Sequence, residues 1–238
     1  MTTTALVTGA NKGIGYEIAA GLGRLGWAVG VGARDDERRE AAVARLREAG
    51  VDAFGVPLDV TDDASVAAAA ALLAERGGLD VLVNNAGVTG GGVQTPSEVD
   101  LDAVRSAVEV NVWGVIRLTN AVLPLLRRSP SPRIVNVSSG VGSLTRQSAD
   151  DGTTGPLSAA YSPSKTYLNA VTVQYAKELK ETGILVNMGC PGFVATDLNG
   201  FRGTRTPAQG AQTPIRLATL PDGGPTGTHS DDDGLIPW

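Results

Sequence analysis

Only one cysteine, Cys190, and one histidine, His229, occur in the 238 residues. A lone thiol cannot close an internal disulfide, and there is no Cys/His cluster from which to build a zinc site, so no metal is expected. Long apolar runs are missing too. The longest, Val66 to Ala74, falls far short of the roughly 20 residues that span a bilayer, so no membrane association is expected. Met1 to Thr8 carries neither a basic flank nor a small-residue cleavage site, so no secretion leader and a cytoplasmic location are expected. Nor is there an excess of positive charge. A net charge of −5 opposes a polyphosphate backbone, which makes nucleic acid an unexpected partner, although local basic residues could still hold one small phosphate.

What is present is apolar material in short, alternating blocks. With 42% hydrophobic and 19% charged residues the chain can build a core without staples, and its length suits one domain over residues 1–238. Strand-like runs lie at Ala5–Thr8, Trp27–Ala33, Val51–Leu58, Val81–Asn84, Arg133–Ser138 and Ile184–Met188. Between them come stretches of helical period at Ile14–Leu25, Glu37–Glu48, Ala64–Glu75, Leu101–Arg127 and Tyr161–Glu181. This is the βαβ pattern of a Rossmann-type, doubly wound parallel sheet of six to seven strands with helices on both faces. Residues 144–160 are polar, with Gly152, Gly155 and Pro156, and read as a variable loop bordering the site. Residues 199–238 read as a substrate lid and C-terminal segment, with a weak helical pattern at Pro207–Leu220 and an edge strand near Gly227–Ser230. Asp231–Asp233 reads as a solvated turn, Cys190 as a small buried hydrophobe, and His229 as structural.

The first strand runs into Thr8-Gly9-Ala10-Asn11-Lys12-Gly13-Ile14-Gly15, after which a helix begins. Glycines at 9, 13 and 15 permit a tight turn and a close approach of backbone to a pyrophosphate, and the helix start favours an anion. A dinucleotide is therefore expected. At the end of the second strand, where an acid would accept from a ribose hydroxyl, stands Arg34, which offers its fork to a 2′-phosphate; Lys12 can approach the same group. NADP is favoured over NAD. The alternative is that both are solvated charges, with Asp35 neutralising Arg34.

Two further motifs turn binding into chemistry: Asn84-Asn85-Ala86-Gly87 closing the fourth strand, and Tyr161-Ser162-Pro163-Ser164-Lys165 opening the fifth helix. From Ala5 to about Leu198 the chain resembles the short-chain dehydrogenase/reductases. Asn11-Lys12, Ala33-Arg34 and the run Cys190 to Asp197 look most like the NADPH-dependent carbonyl reductase branch. Tyr161 and Lys165 share a helical face, so the ammonium is expected near the phenol, lowering its pKa and making it a general acid or base. Ser139 would hydrogen-bond the substrate oxygen, while Ser138 faces the other way along the strand.

The resemblance implies the remaining roles. Asn111 would hold a water linking Lys165 to solvent, completing a catalytic set of Asn111, Ser139, Tyr161 and Lys165. NADP(H) would be held by Gly9, Asn11, Lys12, Gly13, Ile14 and Gly15, by Arg34, by Asp59 and Val60, and by Asn85, Ala86 and Gly87. Lys165 would also hold the nicotinamide ribose, and Pro191, Gly192, Val194 and Thr196 would clasp the carboxamide. The expected activity is reversible reduction of a small-molecule ketone or aldehyde to an alcohol, with hydride from NADPH and a proton from Tyr161. An epimerase or dehydratase on the same scaffold and a non-catalytic NADP(H)-binding regulator are the alternatives. The Ser139 to Tyr161 stretch is longer than most of the family has, so a homo-oligomer is possible and a monomer is not excluded.

Overall fold

The computed structural model describes residues 2–92, 94–149 and 154–238. Eight strands form one sheet: β1 (Thr4–Thr8), β2 (Ala28–Ala33), β3 (Ala53–Pro57), β4 (Val81–Asn84), β5 (Arg133–Val137), β6 (Leu185–Gly189), β7 (His229–Asp231) and β8 (Gly234–Leu235). Their order is β3-β2-β1-β4-β5-β6-β7-β8, so the chain reverses direction across the sheet between β1 and β4. Seven strands are parallel, and β8 alone pairs antiparallel, with β7. The doubly wound parallel sheet is as expected, with one strand beyond the six to seven anticipated. That strand has only two residues and carries no periodic signal.

Period-two alternation assigns each strand side chain to one of two cores. Ala5, Val7, Val81 and Val83 join Ile18, Leu22, Val43 and Leu46 of the helices α1 (Gly13–Gly23) and α2 (Asp36–Glu48), while Leu6 and Leu82 point the other way. On that second face they meet α3 (Asp63–Glu75), α5 (Gly114–Leu126) and α7 (Tyr161–Glu178) through Leu73, Leu118, Val122 and Ala176. Helix ends follow local chemistry. Asp35 caps α2 by accepting from Arg38 N at 2.9 Å, and Asp62 caps α3 by accepting from Ser65 N at 2.6 Å.

Four expectations change. The single helix over Leu101–Arg127 is two, α4 (Leu101–Val108) and α5, joined by a π-helical turn at Glu109–Trp113 that contains Asn111. The loop at 144–160 contains a helix, α6 (Leu144–Ser148), started by Ser143, whose hydroxyl accepts from Arg146 N at 3.1 Å; residues 150–153, Gly152 among them, lie outside the described residues. The helical pattern at Pro207–Leu220 is split into α8 (Pro207–Gly210) and α9 (Gln212–Ala218), and β7 begins two residues later than the edge strand anticipated at Gly227. Among the described residues no helix is long and apolar enough to cross a membrane.

Candidate active site

The loops following the C-terminal ends of β1, β4, β5 and β6 come together at the reversal point, the usual ligand crevice of an open α/β sheet. Gly9 and Gly13 turn the chain at φ +63° and +56°, in the left-handed region that disfavours side chains. A Cβ on Gly15 would fall 2.5 Å from Asn85 Nδ2, so helix and turn close on each other only without one. Among the described residues no side chain caps α1 at Lys12, which leaves its first N–H groups free in a glycine cradle, an arrangement that suits a phosphate. Thr8 fastens this cradle to β4: its hydroxyl accepts from Asn85 N and Ala86 N, both at 2.9 Å, and its carbonyl accepts from Asn85 Nδ2 at 2.8 Å.

Around the cradle the expected cofactor residues take the following positions. Arg34 is exposed just beyond β2. Its charge acts on Asp59, which is held below the usual carboxylate range first by the Thr61 hydroxyl and also by Arg34 and Arg117. Val60 is buried against Gly114. Lys12, expected to reach the same phosphate as Arg34, instead ion-pairs with Asp197, so the cradle is bridged to the segment after β6. Both groups are about half exposed, and their opposite charges meet across that gap. Thr196 packs beside Gly13, and its neighbour Asn199 ties the segment by donating to Val194 O at 2.8 Å.

Asn111 is wholly buried. Its side chain grips the main chain of Val88 at both ends, accepting from Val88 N at 2.9 Å and donating to Val88 O at 2.8 Å. It also donates to Ser164 Oγ at 2.9 Å, and Ser164 in turn donates to Tyr161 O at 2.7 Å. The π turn is thereby fixed to the start of α7. Lys165 is buried one turn beyond Tyr161, donates to Val137 O at 2.8 Å, and lies 5.6 Å from the centre of the Tyr161 ring. Gly87 leaves room for both: a Cβ there would meet Asn111 Oδ1 at 3.2 Å and Lys165 Nζ at 3.7 Å. Ser138 turns to Asn169, to which it donates at 2.5 Å, and the Ser139 hydroxyl accepts from Val141 N at 3.4 Å.

The expected lowering of the Tyr161 pKa is not found. Removal from water pushes the phenol up to about 12, Cys190 adds to the rise, and the nearby Ser139 hydroxyl acts the other way. Burial lowers Lys165 to about 8. Desolvation outweighs the pairing because the ammonium is spent on Val137 O and stands off from the ring. Cys190 is buried, as expected; its sulfur accepts from Gly140 N at 3.1 Å and Gly192 N at 3.4 Å, joining the loops after β5 and β6.

Several participants had no signal in the sequence. Val88 follows the Asn84–Gly87 motif and Ser164 lies inside the Tyr161–Lys165 motif, but the part each plays is defined only by its long-range contact with Asn111. Arg117 donates to Val60 O at 2.8 Å, pairs with Glu109 at 3.0 Å and also pairs with Asp63, joining the Asp59–Val60 turn to the π turn.

A family profile described as short chain dehydrogenase matches residues 3–206. "Short-chain dehydrogenase/reductase 1" of Saponaria officinalis is 37% identical, with 98% of this chain and 95% of that protein covered. "Carbonyl reductase [NADPH] 1" of Rattus norvegicus is 34% identical over 98% of each. Among solved structures, NADPH-bound carbonyl reductase from chicken fatty liver superposes with a TM-score of 0.87 at 29% identity, covering 100% of this chain and 99% of that one.

Proposed function

Because the chain belongs to the short-chain dehydrogenase family, we propose that it is an NADPH-dependent reductase of a small ketone or aldehyde, working reversibly through Asn111, Ser139, Tyr161 and Lys165. The observation that carries this reading is the meeting of Tyr161, Lys165 and Ser139 beside the glycine cradle, on elements far apart in the chain. The similarity to NADPH-named carbonyl reductases supports the choice of cofactor and the carbonyl substrate class.

The crevice fits a phosphorylated dinucleotide. The glycine-rich turn from Gly9 to Gly15, with Asn11 and Ile14, would take the pyrophosphate, and exposed Arg34 the 2′-phosphate, joined by Lys12 once it leaves Asp197. Asp59, Val60 and Asn85 to Gly87 would border the adenosine and ribose, Lys165 the nicotinamide ribose, and Pro191, Gly192, Val194 and Thr196 the carboxamide. When bound, NADPH supplies the hydride that reaches the carbonyl carbon.

Everything else falls to side chains of this chain. Ser139 donates to the carbonyl oxygen and steadies the charge that develops on it. Tyr161 hands its phenolic proton to that oxygen, and a phenol held near 12 arrives at neutral pH with the proton in place. Lys165, still largely charged at pH 7, favours the phenolate left behind, passes it a proton to restore the phenol, and regains one from solvent along the Asn111 side.

A panel of ketones, aldehydes and quinones followed by NADPH absorbance tests the activity. Tyr161→Phe is expected to lower turnover at least about a hundredfold while NADPH still binds, and an unchanged rate refutes the mechanism. Arg34→Ala is expected to erode the preference for NADPH over NADH.

A further inference from the structure

We infer that the acidic turn Asp231–Asp232–Asp233 positions the two loops framing the proposed site, each of its first two carboxylates holding a different loop through an arginine. The turn joins β7 to β8. Asp231 pairs with Arg146 Nη2 at 3.4 Å. Arg146, on α6, lays its guanidinium over Gly140, the residue after Ser139; a Cβ on Gly140 would lie 2.8 Å from Arg146 Nη1. Asp232 pairs with Arg205 and accepts from the Thr213 hydroxyl. Arg205 covers Gly192, where a Cβ would lie 2.7 Å from Arg205 Cδ. Its main chain is laced to the same segment, donating to Phe193 O at 3.0 Å and accepting from Ala195 N at 2.9 Å.

The two arms share a hub. Cys190 accepts from both Gly140 N and Gly192 N, and its own N–H donates to Ser230 O at 2.8 Å, next to the turn. Asp231 therefore acts on the serine loop and Asp232 on the segment proposed to clasp the nicotinamide end. Asp233 carries the same charge, yet among the described residues its carboxylate has no ion pair, and only its N–H is engaged, donating to Asp231 Oδ1 at 3.0 Å. The meaning given to the two loops rests on the reductase reading; the contacts do not.

Three single substitutions remove the same unit of charge and separate the roles. Asp232→Asn is expected to raise the NADPH dissociation constant roughly three- to tenfold with kcat nearly held, the scale of a partly exposed but networked pair. Asp231→Asn is expected to leave NADPH affinity near that of the unaltered protein and to lower kcat/KM for the carbonyl substrate by a similar factor. Asp233→Asn is expected to change neither, and Asp232→Glu to recover most of the affinity. NADPH fluorescence titration reads the first effect without any carbonyl substrate, and Arg205→Lys, which keeps the charge but not the fork, is expected to shift it the same way. Urea midpoints measured alongside show whether a variant is folded during the titration. Equal shifts from Asp232→Asn and Asp233→Asn, or one shared signature from Asp231→Asn and Asp232→Asn, would overturn the inference. If the unaltered chain binds NADPH yet reduces nothing on the panel, the reductase reading fails while the Asp232 arm stands; if it binds no NADPH, both fall.

Discussion

Tyr161 and His229 show burial as the largest influence on proton affinity. A phenol pushed up to about 12 is the right form for giving a proton and the wrong one for taking it. Carbonyl reduction is therefore expected to stay level through neutral pH and to decline as the pH passes about 8, where Lys165 loses its charge. Alcohol oxidation, which needs the phenolate, is expected to climb steadily through the alkaline range. Profiles of kcat against pH in the two directions check this, and coincident profiles would contradict it. His229 is buried with both ring nitrogens unpartnered among the described residues, and burial lowers it to about 4. An unfolded histidine titrates near ~6.5, so the unfolded chain takes up this proton first, and stability falls as the pH drops from about 6.5 towards about 4. The loss amounts to roughly 3 kcal/mol at most. His229→Gln is expected to flatten urea midpoints across that window, leaving the separate losses below pH 4 that come from Asp59 and Asp232, both held below the usual carboxylate range.

The join between the π turn and α7 makes its own prediction. Ser164→Ala removes the acceptor of one Asn111 N–H in a fully buried place, which is expected to cost about 1–3 kcal/mol in urea unfolding. It also frees the carbonyl of Tyr161 from its hydroxyl partner, so turnover is expected to fall more than NADPH affinity. Most elements of this region were legible beforehand. β1, β4, β5 and β6 announce themselves because β-branched and leucine side chains fill both faces, and α2 and α3 because Glu37–Glu48 and Ala64–Glu75 show a helical period. Helix α6 was hidden: five polar-leaning residues give no period, and Ser143 is a cap only once Arg146 N has turned to meet it. Nothing in the residue pattern of Leu101–Arg127 marks its interruption at Glu109–Trp113, because a π turn is defined by backbone hydrogen bonds.

At the scale of the whole molecule, a dinucleotide held by loops from β1, β2, β4 and β6 would tie the two halves of the sheet together. Saturating NADPH at about 100 times its dissociation constant is expected to stabilise the fold by about 2.7 kcal/mol, since only the folded chain has the site. For a chain of this size that is a rise of roughly 5–10 °C in Tm, measurable by calorimetry, with NADH giving less at equal concentration. The candidate residues could be found in the sequence because each sits inside a short motif. Their partners could not: Lys12 meets Asp197, Arg146 meets Asp231 and Arg205 meets Asp232 only after the sheet is assembled, and charge alone assigns none of these pairs. β8 occupies the outer hydrogen-bonding rim of β7 with residues of the same chain, and at two residues it offers a neighbour almost no main chain to pair with. At the opposite border, β3 ends in Pro57, which has no N–H to donate. Both borders are poor templates for prolonging the sheet, so copies that associate are expected to meet through helices or loops.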